Sequence, residues 1–170
     1  PPHTPLEEGA DPSDPASYAR YELEEYAPDL LLAEALEFIE RNQDRPFFLY
    51  FALTSPHTPI CPNEQFIGMS GVGLLGDFIC EVDWVVGRVM DALERNGLTD
   101  DTLLIFTTDN GAAPGSSKPL RAKKGSVYDG GIREPTVMWW PGKIPAGQVC
   151  TEVVASIDIL PTLAELTGAS

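Results

Sequence analysis

The stretch from Leu74 to Asn96 constrains this chain most, because Leu75, Phe78, Ile79, Val82, Val85, Val86, Val89 and Leu93 recur with the 3.6-residue period of a helix. Such a stripe must be buried against a partner. Gly97 stands where a left-handed residue ends a helix, and "TLLIFTT" follows at once as a buried strand. The same alternation runs through the rest of the chain. "DLLLAEALEFIERNQ" sets Leu32, Leu36 and Ile39 at helical spacing behind Asp29 as N-cap, and Pro46 then opens the strand-like run "FFLYFAL". "PTVMWW" predicts another strand. "SIDILPTLAELTG" predicts a helix, with Pro161 tolerated in an early turn and Gly168 closing it. The expectation is an α/β fold, a partial, largely parallel sheet flanked by helices.

The chain divides at residue 29. Residues 1–28 are rich in Pro, Asp and Glu and read as an acidic, Pro-rich loop or connection, in which His3 is given no role. Residues 29–170 carry the alternating pattern, and with 43% hydrophobic residues overall the chain can bury a core. No apolar run approaches the roughly 20 residues that span a bilayer. "PPHTPLEEGADPSDP" lacks the basic start and apolar core of a signal peptide, and it reads as the interior of a longer protein. Cys61, Cys80 and Cys150 are odd in number and far apart, which indicates neither a disulfide framework nor a zinc site.

Charge narrows the choice of partner. With 26 acids against 11 bases the formal charge is -15, the wrong sign for a nucleic-acid binder. Any anionic substrate therefore has to be met by a local basic site. Four bases, Lys118, Arg121, Lys123 and Lys124, fall within "KPLRAKK", and Gly125, Gly130 and Gly131 beyond them permit close backbone approach.

Ligands collect at the carboxyl ends of strands in α/β sheets. "TTDNG" follows one predicted strand and "TSPHTP" another. Asp109 and Asn110 offer adjacent oxygens to one hard cation, Ca²⁺ or Mg²⁺, although Asp-Asn-Gly also reads as a plain turn. Two side chains do not fill the six to eight oxygen positions calcium takes. His57, between prolines, can donate to an oxyanion or a departing oxygen, or can be an ordinary loop histidine. No nucleophile elbow, Walker loop or Gly-x-Gly-x-x-Gly is present.

Taken in order, "FFLYFALTSPHTP", "GDFICEVDWVVGRVMDALERNGLTDDTLLIFTTDNGA", "LRAKKGSVYDGGIREPTVMWWPGKIPAGQ" and "SIDILPTLAELTG" resemble the later part of the sulfatase catalytic domain, in the alkaline phosphatase superfamily. The likeness is to arylsulfatases and N-acetylgalactosamine-6-sulfatase-like enzymes. By that resemblance, Asp109 and Asn110 match two calcium ligands whose companion carboxylates belong to the amino-terminal part of the domain. Lys124 matches the lysine that holds a sulfate oxygen, and His57 the histidine that contacts sulfate and protonates the leaving alcohol. Lys123 falls where relatives often have glycine. Tyr128, Asp129, Gly130, Gly131, Arg133 and Pro135 resemble the structural segment after the lysine, with Asp129 where Glu is commoner. Arg121 is expected to help set the local potential for substrate binding.

The resemblance implies a sulfuric ester hydrolase that cleaves sulfate from a sulfated small molecule or saccharide with Ca²⁺ and a formylglycine nucleophile. It also implies a periplasmic, secreted or lysosomal setting. None of the three cysteines begins the Cys/Ser-x-Pro-x-Arg sequence from which formylglycine is made; the serine form of that spacing occurs once, at Ser117 in "SKPLR", within the basic loop. By its resemblance to the later part of the domain, the chain is expected to be the second part of a catalytic domain, inactive without the amino-terminal part. A phosphomonoesterase or phosphodiesterase of the same superfamily, or a noncatalytic binding or structural fragment, are the competing readings.

Overall fold

A computed structural model describes residues 9–11, 14, 16–17, 25–113 and 115–169. Most of the acidic leader, His3 included, lies outside the described residues. Two helices form the core. Helix α1 (Ala27–Asn42) has Pro28 in its first turn, where a missing N–H costs nothing, and Arg41 in its last. Its N-cap is Tyr26; Asp29, expected to cap, lies inside the first turn instead, where its charge complements the helix dipole.

Helix α2 (Leu74–Arg95) begins behind Gly73 (φ 95°) and ends before Gly97, whose φ of 68° is the left-handed stop that the pattern predicts. Its start is held by a buried carboxylate. Asp77 accepts hydrogen bonds from the Ser70 hydroxyl (2.7 Å) and from the N–H groups of Gly68 and Ser70 (2.9 Å each), which hold its carboxyl below the usual range.

The two helices bury Leu32, Ala35 and Ile39 against a face containing Val82, Val85, Ala92 and Leu93. Each large member contributes roughly 1.5–3 kcal/mol of transfer free energy. Phe47, Leu49, Leu104 and Trp139 pack on the cluster of Ile39, Ala92 and Leu93, so the segments after α1 and α2 lie over the same core.

Strand β1 (Leu104–Thr107) pairs with strand β2 (Thr136–Trp139) in register Leu104↔Trp139 through Thr107↔Thr136. This pairing is antiparallel, where the alternation predicts parallel neighbours. Among its described residues the connection 108–135 contains only the one-turn helix α3 (Asp129–Ile132), and it folds back to return the chain beside β1 in the opposite sense. Residues 47–53 form no ladder among the described residues. Their burial nonetheless alternates, with Phe47, Leu49, Phe51 and Leu53 partly covered and Phe48 and Tyr50 72% and 81% exposed, the two-sided habit of a strand without its neighbour.

Helix α4 (Ile159–Thr167) carries Pro161 in its first turn and ends on left-handed Gly168. It buries no residue, and Ile157, Leu160 and Leu166 stay exposed around it. Among the described residues, no helix is long and apolar enough to cross a membrane.

Candidate functional site

Leaving β1, the chain turns at Asp109, Asn110 and Gly111, and this turn is bolted to the basic loop by backbone alone. The Gly111 N–H donates to Gly131 O (3.2 Å), and the Lys124 N–H donates to Ala112 O (3.2 Å). Within the basic loop, the Gly130 N–H donates to Arg121 O (2.8 Å) and the Ser126 N–H to Lys123 O (3.2 Å). Glycine is required where these strands of backbone touch. A β-carbon at Gly111 would overlap the Gly130 carbonyl, and one at Gly130 would overlap the carbonyls of Arg121 and Ala122. The loop also holds Ala122 at a φ of 66°, a conformation costly for a residue with a β-carbon.

Side chains in this pair of loops divide into those already used and those left open. The Lys123 ammonium donates to Gly115 O at 2.6 Å, which makes it a strut of the loop. The Arg121 guanidinium lies 3.6 Å over the centroid of the Tyr128 ring and so staples the loop across Lys124. By contrast, the exposed ammonium of Lys124 has no hydrogen bond or ion pair among the described residues.

The Asp109 carboxylate, also exposed, likewise has no partner among the described residues. Asn110 donates its Nδ2 to Gly111 O (3.1 Å), which leaves Oδ1 available as an acceptor. Two oxygens that take no donor suit a hard cation, and Asp109 and Asn110 fit a calcium ion as part of its ligand set. No group of three or more His, Cys, Asp or Glu able to hold a metal occurs among the described residues, so the pair by itself is an incomplete cage.

His57 is held differently. Its N–H donates to Thr54 O (3.1 Å), and its ring Nδ1 lies 2.9 Å from Thr58 O. A carbonyl only accepts, so Nδ1 carries the proton in that contact and Nε2 is the nitrogen left to act on a ligand. The exposed ring makes no hydrogen bond to the Asp109 turn or the Lys124 loop among the described residues. The structure thus joins Asp109, Asn110, Arg121 and Lys124 through contiguous backbone and leaves His57 on a separate loop.

Two residues near the site carried no sequence signal. The Thr108 hydroxyl donates to Glu134 Oε2 (2.8 Å), across the end of the ladder. Only pairing in space relates two residues so far apart in sequence.

An oxygen pair able to serve a hard cation and an ammonium without a partner among the described residues thus lie on two loops joined by backbone hydrogen bonds, beyond the carboxyl end of β1. The Sulfatase family model matches residues 4–169. The chain belongs to the sulfatase family.

It is 40% identical over 146 residues to N-acetylgalactosamine-6-sulfatase of Canis lupus familiaris, covering 81% of this chain and 28% of that protein. Against human arylsulfatase A the identity is 46% over 135 residues, 76% of this chain and 26% of that one. In structure it resembles Ps i-CgsB, solved in complex with k-i-k-neocarrahexaose, at a TM-score of 0.82 and 34% identity, covering 88% of this chain and 36% of that one. The PsFucS1 sulfatase from Pseudoalteromonas sp. matches at a TM-score of 0.73 and 31% identity, over 83% of this chain and 30% of that one. The chain therefore spans little more than a quarter of the curated relatives it matches.

Proposed function

We propose that the protein is a sulfuric ester hydrolase of arylsulfatase type that acts on a sulfated aryl or saccharide substrate. One observation carries the reading. Backbone hydrogen bonds lock the Asp109–Asn110 turn against the loop of Lys124, and within that loop Lys123 is spent on structure while Lys124 is not. Cleavage of a sulfate ester builds negative charge on the sulfuryl oxygens and the leaving oxygen, so cations fixed beforehand at those positions lower the barrier. Bound calcium, held in part by Asp109 and Asn110, would supply positive charge to the sulfuryl group.

Lys124 would neutralise a further sulfuryl oxygen with its unpaired ammonium. The Arg121–Tyr128 stack would keep the loop rigid and add positive potential. As an imidazolium, with Nδ1–H held by Thr58 O, His57 would give its second proton from Nε2 to the departing alcohol. The nucleophile of this reading is a formylglycine supplied by another part of the catalytic domain. We assign to that part the covering of the exposed apolar residues Phe48, Tyr50, Val137, Ile157 and Leu160, since relatives of this family are three to four times as long as the chain. The same reading assigns the protein to a periplasmic, secreted or lysosomal compartment.

A sulfated saccharide is favoured over other esters by the company the chain keeps, a sulfatase of N-acetylgalactosamine 6-sulfate and a protein solved with a neocarrahexaose. The family match favours sulfate over phosphate esters. In the full-length protein, Lys124→Ala should lower kcat/KM for an aryl sulfate at least tenfold, ~1.4 kcal/mol or more of transition-state stabilisation. An unchanged rate removes the lysine from the mechanism, and faster turnover of the matching aryl phosphate makes the protein a phosphatase.

A further inference from the structure

The antiparallel register of β1 and β2 has a consequence beyond the ladder. Its last pair is Thr107↔Thr136, whose hydroxyls lie 2.9 Å apart. Continued by two residues, the same register sets Glu134 across from Asp109, the first residue of the candidate metal turn. The bond from the Thr108 hydroxyl to Glu134 Oε2 crosses this gap diagonally at 2.8 Å. Thr108 has one hydroxyl proton and a second acceptor within reach, Asn110 O at 3.4 Å. The carboxylate is both nearer and charged, so it takes the proton and fixes the Thr108 rotamer.

The other oxygen of Glu134, Oε1, is buried and has no hydrogen-bond partner among the described residues. A buried carboxylate oxygen without a donor costs stability, and such an atom calls for a reason in the site around it. Carboxylates one step behind metal ligands orient those ligands, and their loss commonly weakens metal affinity by ~10–100-fold.

We infer that Glu134 is a positioning residue for the metal turn, acting through Thr108 to hold the backbone that presents Asp109 and Asn110 to calcium. The inference rests on the calcium site proposed above. Both residues lie at the end of β1 and β2, so the device belongs to the sheet and needs no contact with substrate.

The test is calcium titration of the full-length protein by calorimetry, alongside sulfatase kinetics at limiting and saturating calcium. Glu134→Ala and Thr108→Val should each weaken calcium binding by about tenfold or more, and the double variant should be no worse than the poorer single one, because both break one connection. Glu134→Gln and Thr108→Ser, which keep an acceptor and a hydroxyl, should bind within about threefold of the parent and show that the alanine and valine losses are not general damage. Activity lost at limiting calcium should return at saturation. Parent-like affinity in both disruptive variants, or losses that add in the double variant, overturns the inference alone. A parent protein that binds no calcium overturns it together with the metal reading on which it stands.

Discussion

The Asp109 turn and the His57 loop both follow apolar runs that pack on the α1–α2 core, yet the two are held in different ways. The turn is bound through Gly111 and Ala112 to the backbone of Gly131 and Lys124, so its place relative to the basic loop is set by contacts with no rotamer freedom. The His57 loop takes its hydrogen bonds from Thr54 and Thr58, its own neighbours in sequence. The difference separates two kinds of determinacy. The residues to which the proposed reaction assigns charge stabilisation stand on backbone fixed by packing, whereas the loop of the proposed proton donor follows the run 47–53, whose other face is open.

Substituting His57 probes that comparison with the largest expected effect. In the full-length enzyme, His57→Ala should slow hydrolysis of a saccharide sulfate about a hundredfold, the scale of general acid catalysis. It should slow a nitrophenyl sulfate far less, because that phenolate leaves without a proton. Equal losses on the two substrates would make His57 a sulfate ligand and not an acid.

Next comes the interlock itself. Gly130→Ala puts a methyl group into the carbonyls of Arg121 and Ala122, and neither can rotate away. The expected loss is about 2 kcal/mol of stability in urea unfolding, with a matching decline in activity as the loop separates from the turn. A variant of parental stability would show that the loops are joined more loosely than their hydrogen bonds indicate.

A smaller effect separates the adjacent lysines. Lys123→Ala loses one bond to Gly115 O and should change kcat/KM by less than about threefold while lowering stability by roughly 0.5–1.5 kcal/mol. A tenfold kinetic loss would exchange the roles given to Lys123 and Lys124.

The smallest effect lies in the helical layer, remote from the site. Glu81 is 2% exposed on α2, and its Oε2 accepts from the Tyr26 hydroxyl (3.0 Å) and the Asn63 N–H (2.9 Å). Burial holds its carboxyl above the ordinary range, against the pull of those two donors, and the Asp29 charge adds to the upward shift. Tyr26, partly buried and bonded to the same carboxyl, is held upward as well. Above the ordinary glutamate value the unfolded chain has lost a proton that the fold retains. The Glu81 contribution is therefore complete below that value and is lost as pH rises through the folded one. Glu81→Gln cannot titrate, so its Tm should fall less than the parent's between about pH 5 and pH 8. Parallel Tm curves would show that Glu81 is ionised in the fold throughout.

Periodicity sufficed for the elements that depend on local pattern. The stripe of α2, the left-handed stops at Gly97 and Gly168, and the short runs of β1 and β2 are all legible because helix and strand spacing write burial directly into sequence. Asp29 shows where such reading fails. Tyr26 and Pro28 start the helix earlier, and a cap signal alone does not register what precedes it. Likewise "FFLYFAL" has the alternation of a strand and, among the described residues, no ladder, since a strand exists only with a neighbour to bond.

By itself, then, the amino-acid order determined an acidic α/β chain with one confined basic loop, and the ordered stretches that resemble sulfatases. Tertiary structure decided that β2 runs back against β1, that Lys123 braces the loop while Lys124 has no partner among the described residues, and that Glu134 meets Thr108. The reason is distance along the chain. Propensity and period act over a few residues, but the contact of Gly111 with Gly130 and Gly131 depends on where the connection 108–135 returns, which only packing on the shared core can specify.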